Sequence, residues 1–355
     1  MERIKTSNIK RILVVRTDRI GDVVLSIPAI TALRKAFPDS YIAIMVSPIT
    51  KDIVIDNPYI NEVIVYDKTS RHRGVLKTLG FILWLRLKRF GIAFILHTTV
   101  RVNIITFLAG IPIRVGYKRG KMDFLLSHGL EYKKRLGEKH EAEYTLDVLR
   151  SVGIDAEFSL PFIVVKKEDE VRIDSFLSKY NLGKSDKKVL LHPGASCKSK
   201  MWPVENFARL GDILRKDFGV KIIINTAPDQ KELGERLKIL MIDNDKDVFL
   251  FYGKSLKELA ALFKRMQLVI SNDSGPVHIA AGVGTPVISI FGRNDMGLSP
   301  VRWRPLIDKS IVVHKEVGCV RCLAHNCKRD FLCLRSITPE EVADKAIRLL
   351  SGDAS

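Results

Sequence analysis

Two α/β domains, each a parallel sheet covered on both faces by helices, are predicted from three observations. Short apolar strands alternate with helix-length amphipathic segments, the alternation pauses at a polar stretch in mid-chain and then restarts, and the two halves are similar in size. The chain of 355 residues is long enough for two domains. In order, "RILVV" is the first strand, "RTDRIGD" a polar loop, and "VVLSIPAITALRKAF" a helix ended by Pro38 and Asp39. "YIAIMVS" and "EVIVYD" are strands, "VLKTLGFILWLRLKRF" an amphipathic helix that covers the sheet, and "IAFILH" a further strand. Charged stretches near Lys166–Glu170 and Gly183–Lys188 bracket a short helix. Beyond them "KVLLHPG", "VKIIINTAP", "DVFLFYG", "LVISND" and "PVISIFG" are strands separated by helices. The expected bounds are 1–170 and 171–337. A helix in 338–355 starts with Thr338 as N-cap, Pro339 in the first turn and Glu341 completing a capping box.

Composition narrows the class. With 46% hydrophobic and 28% charged residues, the chain is a packed globular protein rather than a disordered one. The net charge is +18, and the segment from Tyr66 to Lys139 alone carries 16 Lys/Arg against 4 Asp/Glu, a net of +12. That segment predicts a cationic face for an anionic partner, with a solubilising surface as the plainer reading. No apolar run reaches the ~18–20 residues that span a bilayer. The first residues lack the apolar core of a leader, so a cytoplasmic chain with reduced cysteines is expected.

In doubly wound sheets, ligands meet the loops after the carboxyl ends of strands. Three such loops have the composition for chemistry. "RTDRIGD" offers Asp18 and Asp22 but lacks the glycine spacing of a dinucleotide site, and Asp22 could equally cap the following helix. "HPGASCKSKMWP" combines small residues, including Ser196, with Lys198 and Lys200, which suits a phosphate or an ordinary loop. In "SNDSGPVHIAAGVGTPVISIFG", Asp273 or Ser274 can cap a helix, Gly275 permits an unusual φ, and Pro276 fits the first turn. The helix start then faces an anion. His278 lies in that turn, either toward the anion or in the core.

These three loops, in this order and over nearly the whole chain, resemble glycosyltransferase family 9, the lipopolysaccharide heptosyltransferases. The resemblance implies a GT-B fold, two Rossmann-like domains with a cleft between them. The first domain would bind the acceptor and the second the nucleotide sugar. It implies an inverting, metal-independent transfer of heptose from ADP-heptose to the inner core of a lipid A–core acceptor at the inner face of the inner membrane. No cofactor, resident metal or nucleic acid is implied. By motif position, Asp22 matches the catalytic base, with Asp18 as the alternative, and Lys200 the lysine on the donor phosphates. Asp273, Ser274, Gly275 and His278 match the diphosphate loop, and Asp229 the acidic ribose contact, with Glu232 as competitor. The chain is expected to lack an Asp-x-Asp metal–diphosphate motif. Arg114, Lys118 and Arg119 are the acceptor-binding candidates, and the helix in "VLKTLGFILWLRLKRF" has a second reading as a segment lying on a membrane.

One feature stays outside this scheme. Cys319, Cys322, Cys327 and Cys333 have the spacing C-x2-C-x4-C-x5-C, read either as a zinc or iron–sulfur site or as reduced thiols in a compact loop. The same fold with another nucleotide sugar is the alternative function. A polyanion-binding protein is the distant one, since no nucleic-acid motif is present.

Overall fold

The computed structural model of the chain describes residues 9–319 and 321–352, the side chains at 244 and 245 apart. The start of the stretch read for a leader (1–8) and the end of the expected last helix (353–355) lie outside the described residues. The chain forms two compact units, Met1–Pro161 and Phe162–Ser355. The division falls upstream of the expected 170/171 because the helix Lys167–Lys179 is pinned within the second unit. Arg265 makes a two-pronged contact with Asp174 at 2.7 and 3.0 Å, and Lys264 reaches Glu170 at 2.8 Å.

The first unit is built on six parallel strands: β1 (Arg11–Arg16), β2 (Tyr41–Val46), β3 (Glu62–Val65), β4 (Ile92–Ile95), β5 (Ile113–Tyr117) and β6 (His128–Leu130), in the order β3-β2-β1-β4-β5-β6. Ile12–Val15 and Ile42–Val46 are buried on both sheet faces, which is why they read as unbroken apolar runs. The expected long helix after β1 is two pieces, Ile20–Val24 and Ile27–Ala36. Pro28, which has no N–H to give, sits in the first turn of the second piece, where none is needed.

The second unit repeats the plan with β7 (Lys188–His192), β8 (Lys221–Asn225), β9 (Val248–Phe251), β10 (Leu268–Asn272), β11 (Val287–Phe291) and β12 (Ser310–His314), ordered β12-β11-β10-β7-β8-β9. The last helix, Pro339–Ser351, is not a separate appendage. Thr338 Oγ1 accepts from Glu341 N–H at 3.2 Å, and Val342, Ala343 and Ala346 join the core formed by β7, β8 and the helix Val204–Phe218. In each sheet the strand order reverses once, between β1 and β4 and between β10 and β7. The carboxyl ends of those strands are where a doubly wound sheet presents its ligand crevice.

Candidate active site

In the first unit a group of charges surrounds the end of β1. Arg16, the last residue of that strand, is almost fully buried. Its Nη1 donates to Leu96 O at 2.9 Å, and its Nη2 donates both to Asp22 at 2.5 Å and to Glu141 at 3.0 Å. Nε lies 3.0 Å from Asp18, close enough for attraction but not aligned as a hydrogen bond. Burial works against the guanidinium charge, but Asp18, Asp22 and Glu141 outweigh it and hold Arg16 above its ordinary range. Lys134 donates to Glu141 at 2.7 Å.

Asp22 is therefore not an N-cap. The cap position of its helix is Arg19, and Asp22 sits within the first turn, its carboxylate bound by Arg16 and partly open to solvent. Asp18 differs from it. Burial, with Asp22 and Glu141 close by, pushes Asp18 up to about 7 despite Arg16. His97, just past β4, is pushed down to about 3 by burial and by the cations Arg16, Arg119, Lys68 and Lys134. It is neutral at physiological pH, so its 4.0 Å approach to Asp18 is no ion pair.

A raised carboxyl pKa favours the fold at low pH. The contribution from Asp18 is fully present below its unfolded value near 3.8 and is lost as pH rises through about 7. Asp18→Asn is therefore expected to raise the melting temperature more at pH 8 than at pH 5. Paired thermal melts at the two pH values measure this, and an equal shift at both would contradict the assignment.

The second unit gathers its site from the ends of β7, β8, β10 and β11. Asn272, at the end of β10, ties two loops together: its Nδ2 donates to Pro193 O at 2.7 Å and its Oδ1 accepts from Trp202 N–H at 3.0 Å. This braces the segment His192–Trp202 beside the helix Gly275–Gly282. Gln230, from the turn after β8, donates to Ala195 O at 3.0 Å and packs directly over Gly194, where a Cβ would have to push its Oε1 aside. His192 is pushed down to about 4 by burial and faces Asn225 at 3.1 Å, a neutral structural contact.

Asp273 stands between two cations. Lys200 Nζ is 2.8 Å and Arg293 Nη2 2.9 Å from its Oδ2. Ser274 is the N-cap of the helix Gly275–Gly282, yet its side chain does not cap it and instead meets Ser271 Oγ at 3.1 Å. The helix start is left without a side-chain acceptor, next to two cations. Arg293 Nε is also buried without a hydrogen-bond partner among the described residues. An anion with several oxygens would satisfy these groups together.

Other expected residues are placed as follows. Gly275 is the first helical residue, and the left-handed backbone of this stretch falls at Gly284, with φ +83°, where the helix closes. His278 is buried. Ser196 is exposed in the loop after β7. Asp229 and Glu232 are exposed near the turn after β8, and it is Gln230 between them that reaches the loop after β7. Arg114 is committed to the backbone: its guanidinium donates to Leu125 O at 2.6 Å, to Pro112 O at 3.0 Å and to Ile111 O. Lys118 and Arg119 are exposed.

Asp-x-Asp does occur in the chain, at Asp243–Asp247, but it precedes β9, at the sheet edge opposite these loops. Asp247 there pairs with Lys221. The four clustered cysteines are half-buried, carry no disulfide and line one cavity of about 270 Å³ together with Ser199 and Arg293. Among the described residues, no three His, Cys, Asp or Glu side chains are arranged to hold a metal ion.

Arg16, Glu141, Lys134, His97 and Arg293 were not singled out from the sequence. A charged residue closing an apolar strand (Arg16) or lying two residues past one (Arg293) is the signal that could have found two of them.

Two six-stranded, doubly wound parallel sheets in one chain are the architecture of the GT-B class. The profile of glycosyltransferase family 9 (heptosyltransferase) matches residues 81–332, and the chain belongs to that family. It is 27% identical over 345 residues to lipopolysaccharide heptosyltransferase 3 of Escherichia coli K12, covering 94% of this chain and 96% of the relative. The crystal structure of a family 9 glycosyltransferase from Veillonella parvula superposes with a TM-score of 0.87 at 26% identity, over 97% of this chain and 98% of that one. The E. coli ADP-heptose lipopolysaccharide heptosyltransferase II does so at 0.79 and 22% identity, over 97% of this chain and all of that one.

Proposed function

We propose that this enzyme transfers heptose from ADP-heptose to the inner core of a lipopolysaccharide acceptor, inverting the anomeric centre and using no metal ion. The reading rests chiefly on the convergence of Lys200 and Arg293 beside an uncapped helix start, in a chain of this family. The donor diphosphate takes that place, displacing the attention of both cations from Asp273. Ser196 and the exposed Asp229 lie on the loops that would flank the nucleotide.

Asp22 accepts the proton of the acceptor hydroxyl as that oxygen bonds to the anomeric carbon. The bond from that carbon to the phosphate oxygen breaks from the opposite face, and ADP leaves with the electron pair. Lys200, Arg293 and the helix dipole stabilise the charge gathered on the leaving ADP. Arg16 holds Asp22 in place and is itself anchored by Glu141.

The acceptor carries anionic groups, for which Lys118 and Arg119 are the binding cations. Arg119 is near enough to His97 to lower its pKa, which puts it within reach of the Asp22 loop. Reversing the charges at Lys118 and Arg119 should raise acceptor KM with little change in ADP affinity, read by steady-state kinetics and calorimetry. Arg114→Ala should instead lower the melting temperature, because it strips three carbonyls of their donor. The donor itself is tested by screening ADP-heptose against other nucleotide sugars. Turnover of a different sugar in its place would shift the assignment to the alternative transferase.

A further inference from the structure

The helix Val75–Leu87 was expected to cover the sheet, and it does so with only Phe81, Ile82 and Leu85, which join the core beneath β1 and β4. The rest of its apolar residues point outward. Leu76 is 84% exposed, Leu83 62% and Leu87 80%, and Val75, Leu79 and Trp84 are exposed as well. At 3.6 residues per turn, Leu76, Leu79, Leu83 and Leu87 fall within about 80° of one another, on the side away from the buried three. The apolar surface continues onto the neighbouring helix Val100–Leu108, where Val100, Phe107 and Leu108 are exposed, and to Phe124, 75% exposed in the turn that packs on that helix.

A soluble protein does not normally leave so many large apolar side chains together in water. The charges around them name the partner. From Lys68 to Met122 the chain carries twelve Lys/Arg and no Asp or Glu. Arg71, Arg73, Lys77, Arg86 and Arg89 on or flanking the first helix, Arg101 on the second and Lys121 just before the turn of Phe124 are all exposed. A second copy of the chain would set two such cationic surfaces against each other, whereas a leaflet rich in acidic lipids supplies both the apolar interior and the opposite charge.

We propose that the helix Val75–Leu87, with Phe107, Leu108 and Phe124 beside it, is the face by which this enzyme docks on an anionic lipid leaflet. The helix lies in the interface, its leucines among the acyl chains and its flanking cations at the phosphates, and it does not cross the membrane. It begins after the loop that leaves the carboxyl end of β3, the same sheet edge that carries Asp22. Docking thus brings the base close to the plane of the headgroups. This deepens the reading of a lipid-anchored acceptor. The test uses vesicles without any glycan, so its outcome does not depend on the transfer reaction.

Flotation with phosphatidylcholine vesicles, with and without phosphatidylglycerol, measures the binding. The full chain should bind the vesicles that contain phosphatidylglycerol, and binding should weaken as salt shortens the Debye length from about 10 Å at 0.1 M to about 3 Å at 1 M. Replacing Leu76, Leu83 and Leu87 together by serine removes side chains that make little of the core and should cut the partition coefficient by about 10²-fold or more. Trp84 is on the same helix, so its emission should shift to the blue on binding, a change absent in Trp84→Phe. If the serine variant folds poorly, Lys77→Glu with Arg86→Glu, both at exposed positions, should abolish the preference for acidic lipid. Wild-type partitioning in the serine variant, or in the charge variant, overturns the proposal. So does an unmoved Trp84 emission in vesicle-bound protein, or a dimer in solution that ignores vesicles and is broken by the serine substitutions.

Discussion

Asp22→Asn is expected to lower turnover by about 10²- to 10⁴-fold, the range general-base catalysis supplies, while leaving ADP affinity close to wild type. The amide keeps the size of the carboxylate and can still meet Arg16 through its oxygen, so the local fold has little reason to change. What it loses is the anionic oxygen basic enough to take the acceptor proton. On the proposed reading ADP binds at the other unit, through loops after β7 and β10, and does not need that proton acceptor. Single-turnover kinetics with calorimetry on the same preparation separates the two quantities. Near-normal turnover in the variant would move the base to Asp18, whose carboxyl, pushed up to about 7 by burial, is the other proton acceptor in the loop.

The second large effect is expected at the donor phosphates. Lys200→Ala and Arg293→Ala should each weaken ADP binding by about 1.5–3 kcal/mol, roughly 10- to 100-fold, as for loss of one hydrogen bond to a charged group. Each single variant leaves Asp273 with one cation, so the fold survives. The double variant leaves a buried carboxylate with neither, and should also be markedly less stable, since breaking a buried pair costs about 3–5 kcal/mol. A thermal melt alongside the titrations distinguishes a lost phosphate contact from a damaged loop. Unchanged ADP affinity in Lys200→Ala would remove that lysine from the site.

How much of this was legible in the sequence depended on how local each feature is. Strands such as Ile12–Val15 and Val287–Phe291 are buried on both faces and read directly as apolar runs. The strands β5, β6 and β12 lie at or near sheet edges and mix polar residues into short segments such as "HGL", so no run marks them. The loops carrying Asp22, Lys200 and Asp273 were found because strand-to-helix loops of unusual composition are local too. The second carboxylate on Arg16, beside that of Asp22, was not. Arg16 and Glu141 are 125 residues apart, and only the packing of the helix Glu141–Arg150 on Ile27–Ala36 brings them together. Charge counting located the cationic segment, but it could not separate Arg114, which serves the backbone, from Arg119, which is exposed and close enough to act on His97. The helix Val75–Leu87 was read as amphipathic, but it is apolar on both sides, so which of its leucines face outward emerged only from the fold.

The central claim is a transfer reaction, and one assay addresses it directly. Purified enzyme is mixed with ADP-heptose and an inner-core acceptor lacking heptose, or carrying a single one. Released ADP and the mass of the glycolipid are followed together. The account predicts one ADP released per heptose gained by the acceptor, with activity retained after exhaustive chelation and abolished in Asp22→Asn. Hydrolysis or transfer from another nucleotide sugar, with ADP-heptose left untouched, would contradict it.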